Sequence, residues 1–100
     1  MRLHSPCAYF LDLCCFYTTL PVPRHVIEQH GEEWIKPENI VSNGPFVMED
    51  WLLNRRIRLR KNPTYWDADN VILERVVYYP YEDQSTALKQ FRAGDLHWTY

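Results

Sequence analysis

Strict alternation of polar and apolar residues marks one stretch of the chain. In "RRIRLRK", Ile57 and Leu59 share one face and Arg56, Arg58 and Arg60 the other, which predicts a strand with one side buried and one side wet. Phe46 and Met48 share a face in the run before it. The two runs predict a β-hairpin with about four loop residues, setting Met48 beside Ile57 and Glu49 beside Arg56. Asn54 is the positive-φ residue expected in that loop. Upstream, "SNGPF" reads as a turn, with Asn43-Gly44 supplying positive φ and Pro45 fixing the exit. Downstream, "VILERVVYYPY" predicts a strand that Pro80 ends. Asp83 or Ser85 can cap a helix over 86–93, with Leu88 and Phe91 on its buried side and Gly94 just past its end. "DLHWTY" then resumes a strand, with Leu96, Trp98 and Tyr100 on one face. Strand, helix and strand make a β-α-β unit, right-handed if its strands are parallel.

The first half is less regular. Ala8 to Tyr17 is apolar on most sides, with Asp12 its only charge, and predicts a buried helix, a strand being the alternative. Pro21 and Pro23 hold "TTLPVPR" extended. Pro23 suits the first turn of a helix over 24–30, closed by Gly31. A loop broken by Pro37 is expected over 32–43. Tyr100 falls inside the last strand, and the start is equally abrupt, so both ends are expected to be cut from something longer.

Composition narrows the classes. The 100 residues suffice for one small domain, and at 46% hydrophobic and 24% charged they are those of a globular protein. A net charge of -2 gives no global attraction to nucleic acid or an anionic membrane. No run approaches the roughly 18 apolar residues that span a bilayer. Cys7, Cys14 and Cys15 are an odd, clustered set, expected as small buried hydrophobes rather than a disulfide framework. The opening "MRLHSPCAYFLDLCC" has the outline of a secretion signal, but Asp12 and Leu13 occupy positions that such signals keep apolar or small.

Candidate chemistry is thin. Arg55, Arg56, Arg58, Arg60 and Lys61 could form a phosphate-binding ribbon, which would make this a self-standing α/β interaction module using the basic strand 55–61 to bind a partner or nucleic acid. Glu49 and Asp50 on the facing strand can neutralise part of it, which favours a solvated face. His25, Glu28 and His30 lack the spacing of a zinc-protease helix. Ser42, Ser85 and Thr86 have no base placed by local sequence. The expectation is no enzyme, no metal and no cofactor. Trp34, Trp51, Trp66 and Trp98 are expected to pack over sheet edges. Trp98 and Tyr100 are the better ligand candidates, since ligands of open α/β sheets bind beyond the carboxyl ends of strands. "RKNPTYWDADN", 60–70, is expected to be a structural corner, with Asn62 and Asp67 bonding turn backbone and Tyr65 and Trp66 covering the sheet.

Several spaced motifs agree with one family. Asn43 to Phe46, Asn62 to Trp66, Val71 to Tyr79, Thr86-Ala87-Leu88 and Ala93-Gly94-Asp95-Leu96 resemble the corresponding run of the family 5 extracellular solute-binding proteins. These are the peptide-, oligopeptide- and nickel-binding receptors of bacterial ABC importers. "YTTLPVPRHVIEQHGEEWIKPENIVSNG" looks most like the oligopeptide-binding branch.

The resemblance implies a mixed α+β chain forming a single partial domain over 1–100, part of one lobe of a two-lobed clamshell. Segment 1–6 is an atypical N-terminal piece. It implies a receptor that captures peptides for an ABC permease in the periplasm or cell envelope, without catalysis or nucleic-acid binding, and no tight binding by this part alone. Only Thr99 and Tyr100 approach the family's cleft, so those two are the expected ligand-binding residues. The family's anchors for peptide termini have no matching positions in the chain.

Overall fold

A computed structural model describes residues 3–99. Its centre is a three-stranded antiparallel sheet in the order β1-β2-β3, with β1 at Phe46–Leu52, β2 at Arg56–Lys61 and β3 at Arg75–Tyr78. The β1–β2 hairpin closes through Arg55 N–H donating to Leu52 O at 3.0 Å. Asn54 sits third in that turn at φ 56°, the sign a type II turn needs there. Asn43 and Gly44 do not take positive φ. Instead the Ser42 hydroxyl accepts from Gly44 N–H at 3.0 Å and shapes that turn from its side chain.

The hairpin register differs from the expected one. Met48 faces Leu59, Asp50 faces Arg58 and Trp51 faces Ile57. Glu49 is an extra residue between two regular stretches, a β-bulge. The bulge and a three-residue loop together displace every expected pair. Because directly opposed residues share a face, Met48, Trp51, Ile57, Leu59, Val76 and Tyr78 lie on one side of the sheet. Arg56, Arg58, Arg60, Asp50 and Arg75 lie on the other.

Helix α1, Phe10–Leu13, is a single exposed turn rather than a buried helix over 8–17. With nothing packed on it, Cys14 and Cys15 are exposed and Cys7 only half-buried, so the cysteines are not core residues. Helix α2, Arg24–His30, has the expected bounds and ends at Gly31, φ 55°. A 3-10 turn, Gly31–Ile35, follows where a loop was expected. Val26 of α2, 6% exposed, is the one buried hydrophobic residue among those described.

Helix α3, Gln84–Ala93, is defined at both ends. The Asp83 carboxylate accepts from Ser85 N–H and Thr86 N–H, each at 3.1 Å. Gly94 is left-handed, φ 87°. Its N–H donates to Phe91 O, and Asp95 N–H donates to Gln90 O at 3.0 Å, the two bonds of a Schellman ending. The helix stands off the sheet; the closest-packed elements are β1 with β2, β2 with β3, and α2 with its 3-10 turn. Leu88 and Phe91 are therefore exposed rather than buried.

β3 is shorter than the expected strand. Ala68–Asn70 is a 3-10 turn, and regular pairing runs only over Arg75–Tyr78. Of the expected β-α-β unit only β3 and α3 are formed among the described residues: 96–99 follows as non-strand chain, and Tyr100 lies outside them. The radius of gyration is 17.4 Å, against about 13 Å for a compact chain of this length.

Candidate functional site

One hollow of about 830 Å³ lies at the carboxyl end of β3. Val76, Val77 and Tyr78 supply one wall, Gln84 and Ala87 of α3 another, and 95–99 the third. Pro80 stops the strand between them and turns Tyr79 and Tyr81 onto its rim, their ring centroids 6.5 Å apart. Thr99, half-buried, reaches this hollow together with Trp98. The two expected ligand residues thus part ways: Thr99 lines the hollow, and Tyr100 falls outside the described residues.

The lining offers aromatic and aliphatic surface with few polar groups, which is binding chemistry. Two hydroxyls at the start of α3 are committed to its cap. Ser85 Oγ and Thr86 Oγ1 both donate to Asp83, at 2.6 and 2.9 Å, so they serve the helix cap. Those hydrogen bonds, the Ser85 hydroxyl's first, then that of Thr86 and the Ser85 N–H, stabilise the carboxylate and hold Asp83 down to about 2.

The corner at 60–70 is held by Asn62, 3% exposed. Its Nδ2 donates to Ser42 O at 3.2 Å and to Gly44 O at 2.8 Å, while Oδ1 accepts from Thr64 N–H and Oγ1 at 3.1 and 2.8 Å. Asn62 N–H donates to Pro45 O at 2.9 Å. Every polar atom of that side chain serves the join between the two turns. Asp67 bonds the Asn70 side chain at 2.6 Å rather than turn backbone. Trp66 does not cover the sheet: it is 84% exposed, tilted against Tyr65. Trp98 at 70% exposure and Trp51 are likewise exposed, and only Trp34 is half-buried.

The arginine face is paired with acids. Asp50 meets Arg58 and, at 3.5 Å, Arg56. Glu49 lies 3.5 Å from Arg58 and 3.6 Å from Arg75. The bulge puts Glu49 on that side, so two carboxylates engage three of the four arginines there, all but Arg60, which removes much of the charge a phosphate ribbon would need. Arg24 occupies Glu28 at 2.7 Å, away from the two histidines. Among the described residues no group of three or more His, Cys, Asp or Glu could hold a metal ion, and no helix is long and apolar enough to cross a membrane.

Comparison with known proteins places this geometry. The profile of the bacterial extracellular solute-binding proteins, family 5 Middle, matches residues 1–100. The chain is 41% identical over its whole length to the probable deoxycholate-binding periplasmic protein YgiS of Escherichia coli, of which it covers 19%. It is 38% identical to the periplasmic oligopeptide-binding protein OppA of the same organism, covering 99% of this chain and 18% of that one. OppA of Burkholderia pseudomallei superposes with a TM-score of 0.92 at 38% identity, over 99% of this chain and 20% of that one. Haemophilus influenzae OppA, solved in complex with the peptide RPPGFSPFR, gives a TM-score of 0.87 at 32% identity, over 93% of this chain and 18% of the other. The chain spans about a fifth of the length of these relatives.

Proposed function

The chain belongs to the bacterial extracellular solute-binding proteins, family 5, and on that premise we propose that it is part of one lobe of a receptor that captures oligopeptides for an ABC importer. The match over residues 1–100, with oligopeptide-binding relatives superposing at TM-scores of 0.87 and 0.92, carries this reading. Residues 1–100 form one partial domain, with 1–6 an atypical leading piece. The complete protein is a two-lobed clamshell without catalytic residues, and it hands its ligand to a permease. Its place is the periplasm or cell envelope, as the names of the Escherichia coli relatives suggest for them.

In this reading the hollow beyond β3 borders the ligand cleft, and Thr99 and Tyr100 are the residues of this chain that reach ligand. Peptide main chain is held by hydrogen bonds, and roomy, wet pockets take the side chains. A second ligand class has its own support. The 41% identical relative is named for deoxycholate, and the aromatic rim of Tyr79, Tyr81 and Trp98 is the kind of surface that packs on a rigid apolar ring system.

The test is a hybrid receptor. This chain replaces the matching segment of an OppA relative, and calorimetry then measures di- to pentapeptides and deoxycholate. Retained peptide binding supports the proposal. A folded hybrid that binds deoxycholate and no peptide sinks the oligopeptide assignment. The 100-residue chain alone is expected to bind no peptide tightly, and submicromolar binding by it would overturn that expectation.

A further inference from the structure

Among the asparagines of the chain only Asn43 is followed by glycine; bulky residues or proline follow the rest. That pair is open to attack from within. The Gly44 backbone nitrogen, once its proton passes to hydroxide, bonds to the side-chain carbonyl carbon of Asn43, Cγ. The Cγ–Nδ2 bond breaks, and Nδ2 leaves as ammonia with a proton from water. Water then opens the five-membered imide at either carbonyl, giving aspartate or isoaspartate. One water enters, one ammonia leaves, and nothing is oxidised or reduced. Glycine permits the attack because no Cβ crowds its nitrogen.

The folded corner holds that nitrogen back. Gly44 N–H donates to Ser42 Oγ at 3.0 Å, which shields its proton from hydroxide until the bond opens. On either side of the Asn43–Gly44 bond, Asn62 Nδ2 donates to the carbonyls of Ser42 at 3.2 Å and Gly44 at 2.8 Å. Asn62 N–H donates to Pro45 O at 2.9 Å. Bringing the Gly44 nitrogen onto Cγ turns the peptide unit about the Cα–C bond of Asn43, and these contacts resist that turn. Each of them lies within this chain, so the restraint does not depend on the remainder of the receptor. The Asn43 side chain takes no part in them.

We propose that Asn43 is a deamidation site that Ser42 and Asn62 keep closed, so that its conversion records opening of the corner. The product does not reclose as before. A negative charge appears just ahead of β1, and isoaspartate also adds a methylene to the main chain. That methylene moves the Gly44 and Pro45 carbonyls out of step with Asn62.

The test follows the 100-residue chain at mildly alkaline pH, in buffer and in urea, by mass spectrometry and isoaspartate assay of the proteolytic fragment that carries Asn43. Conversion should be at least about tenfold faster in urea than in buffer. Ser42→Ala removes the acceptor of Gly44 N–H but keeps both carbonyls for Asn62. It should speed conversion in buffer with an unchanged far-ultraviolet circular dichroism. Asn62→Ala should speed it further. Gly44→Ala, whose added Cβ would meet only Ser42 Oγ at 3.3 Å, should suppress it in both media. Equal rates in buffer and urea overturn the proposal. So do a Ser42→Ala chain that converts no faster than the unaltered one and earlier conversion at Asn39, Asn54 or Asn70.

Discussion

The side-chain amide of Asn62 donates to the carbonyl of Gly44 across 2.8 Å, and so ties the end of β2 to the turn that opens β1. The two residues are 18 positions apart. The bond closes the hairpin at the end opposite its loop. It is a structural use of the corner that the Tyr-Trp pair beside it does not suggest.

Asn62→Ala removes four side-chain hydrogen bonds from a buried site. In the hybrid receptor it should cost about 3 kcal/mol, read from urea unfolding. Asn62→Asp keeps the acceptor for Thr64 but turns a negative oxygen toward two carbonyls, and should cost at least as much. A hybrid with unchanged stability in both variants would remove the hub role.

Trp66→Ala in the 100-residue chain should change stability by less than about 0.5 kcal/mol, because its ring is 84% exposed. Val26→Ala, at 6% exposure, should cost about 2 kcal/mol. The pair is compared by denaturant midpoint. A larger loss at Trp66 than at Val26 would show that the tryptophan is covered in solution.

Asp83 supplies a pH dependence of known sign. Its folded-state value is depressed, from 3.8 to about 2. The stabilisation of α3 is therefore complete above the unfolded value and is lost as pH falls from about 4 toward 2. A carbon-13 titration of the Asp83 carboxyl should find its midpoint near 2. Asp83→Asn should flatten the loss of helical signal between pH 4 and 2. A midpoint near 4 would contradict the cap.

Glu49→Gln with Asp50→Asn frees Arg56, Arg58 and Arg75 from their carboxylates. The double variant should bind heparin or single-stranded DNA more tightly than the unaltered chain, and the gain should fade with rising salt. Equal binding by both would show that the acids do not mask the arginine face.

How far each element could be read from sequence follows the range of the forces that set it. Helix α2 starts after Pro23 and stops at Gly31 because those residues act on their own backbone. The caps of α3 at Asp83 and Gly94 are local in the same way. The family resemblance rests on such local motifs, and it holds over the whole chain. The hairpin register was not legible, since nothing in "FVMEDWL" marks Glu49 rather than Asp50 as the extra residue. Burial was misread most. Trp66, Leu88 and Phe91 carry apolar side chains whose covering surface is set by distant packing, which neither spacing nor composition encodes. Of the candidate site, Thr99 was legible only through the resemblance, and the tyrosine rim was passed over, although Pro80 between Tyr79 and Tyr81 signals it.

The extra residue at Glu49 divides β1 into two stretches that are out of phase. Phe46 and Met48 obey one parity, Trp51 the opposite one, yet all three point to the same side. Deleting Glu49 would leave a regular ladder with both halves in place, but pairing Glu49 into that ladder would invert one half of the strand. Either Phe46 and Met48 or Trp51 would then turn toward the arginines. A tolerance map of this strand should therefore show apolar-only positions at odd spacing across the bulge and even spacing on either side of it.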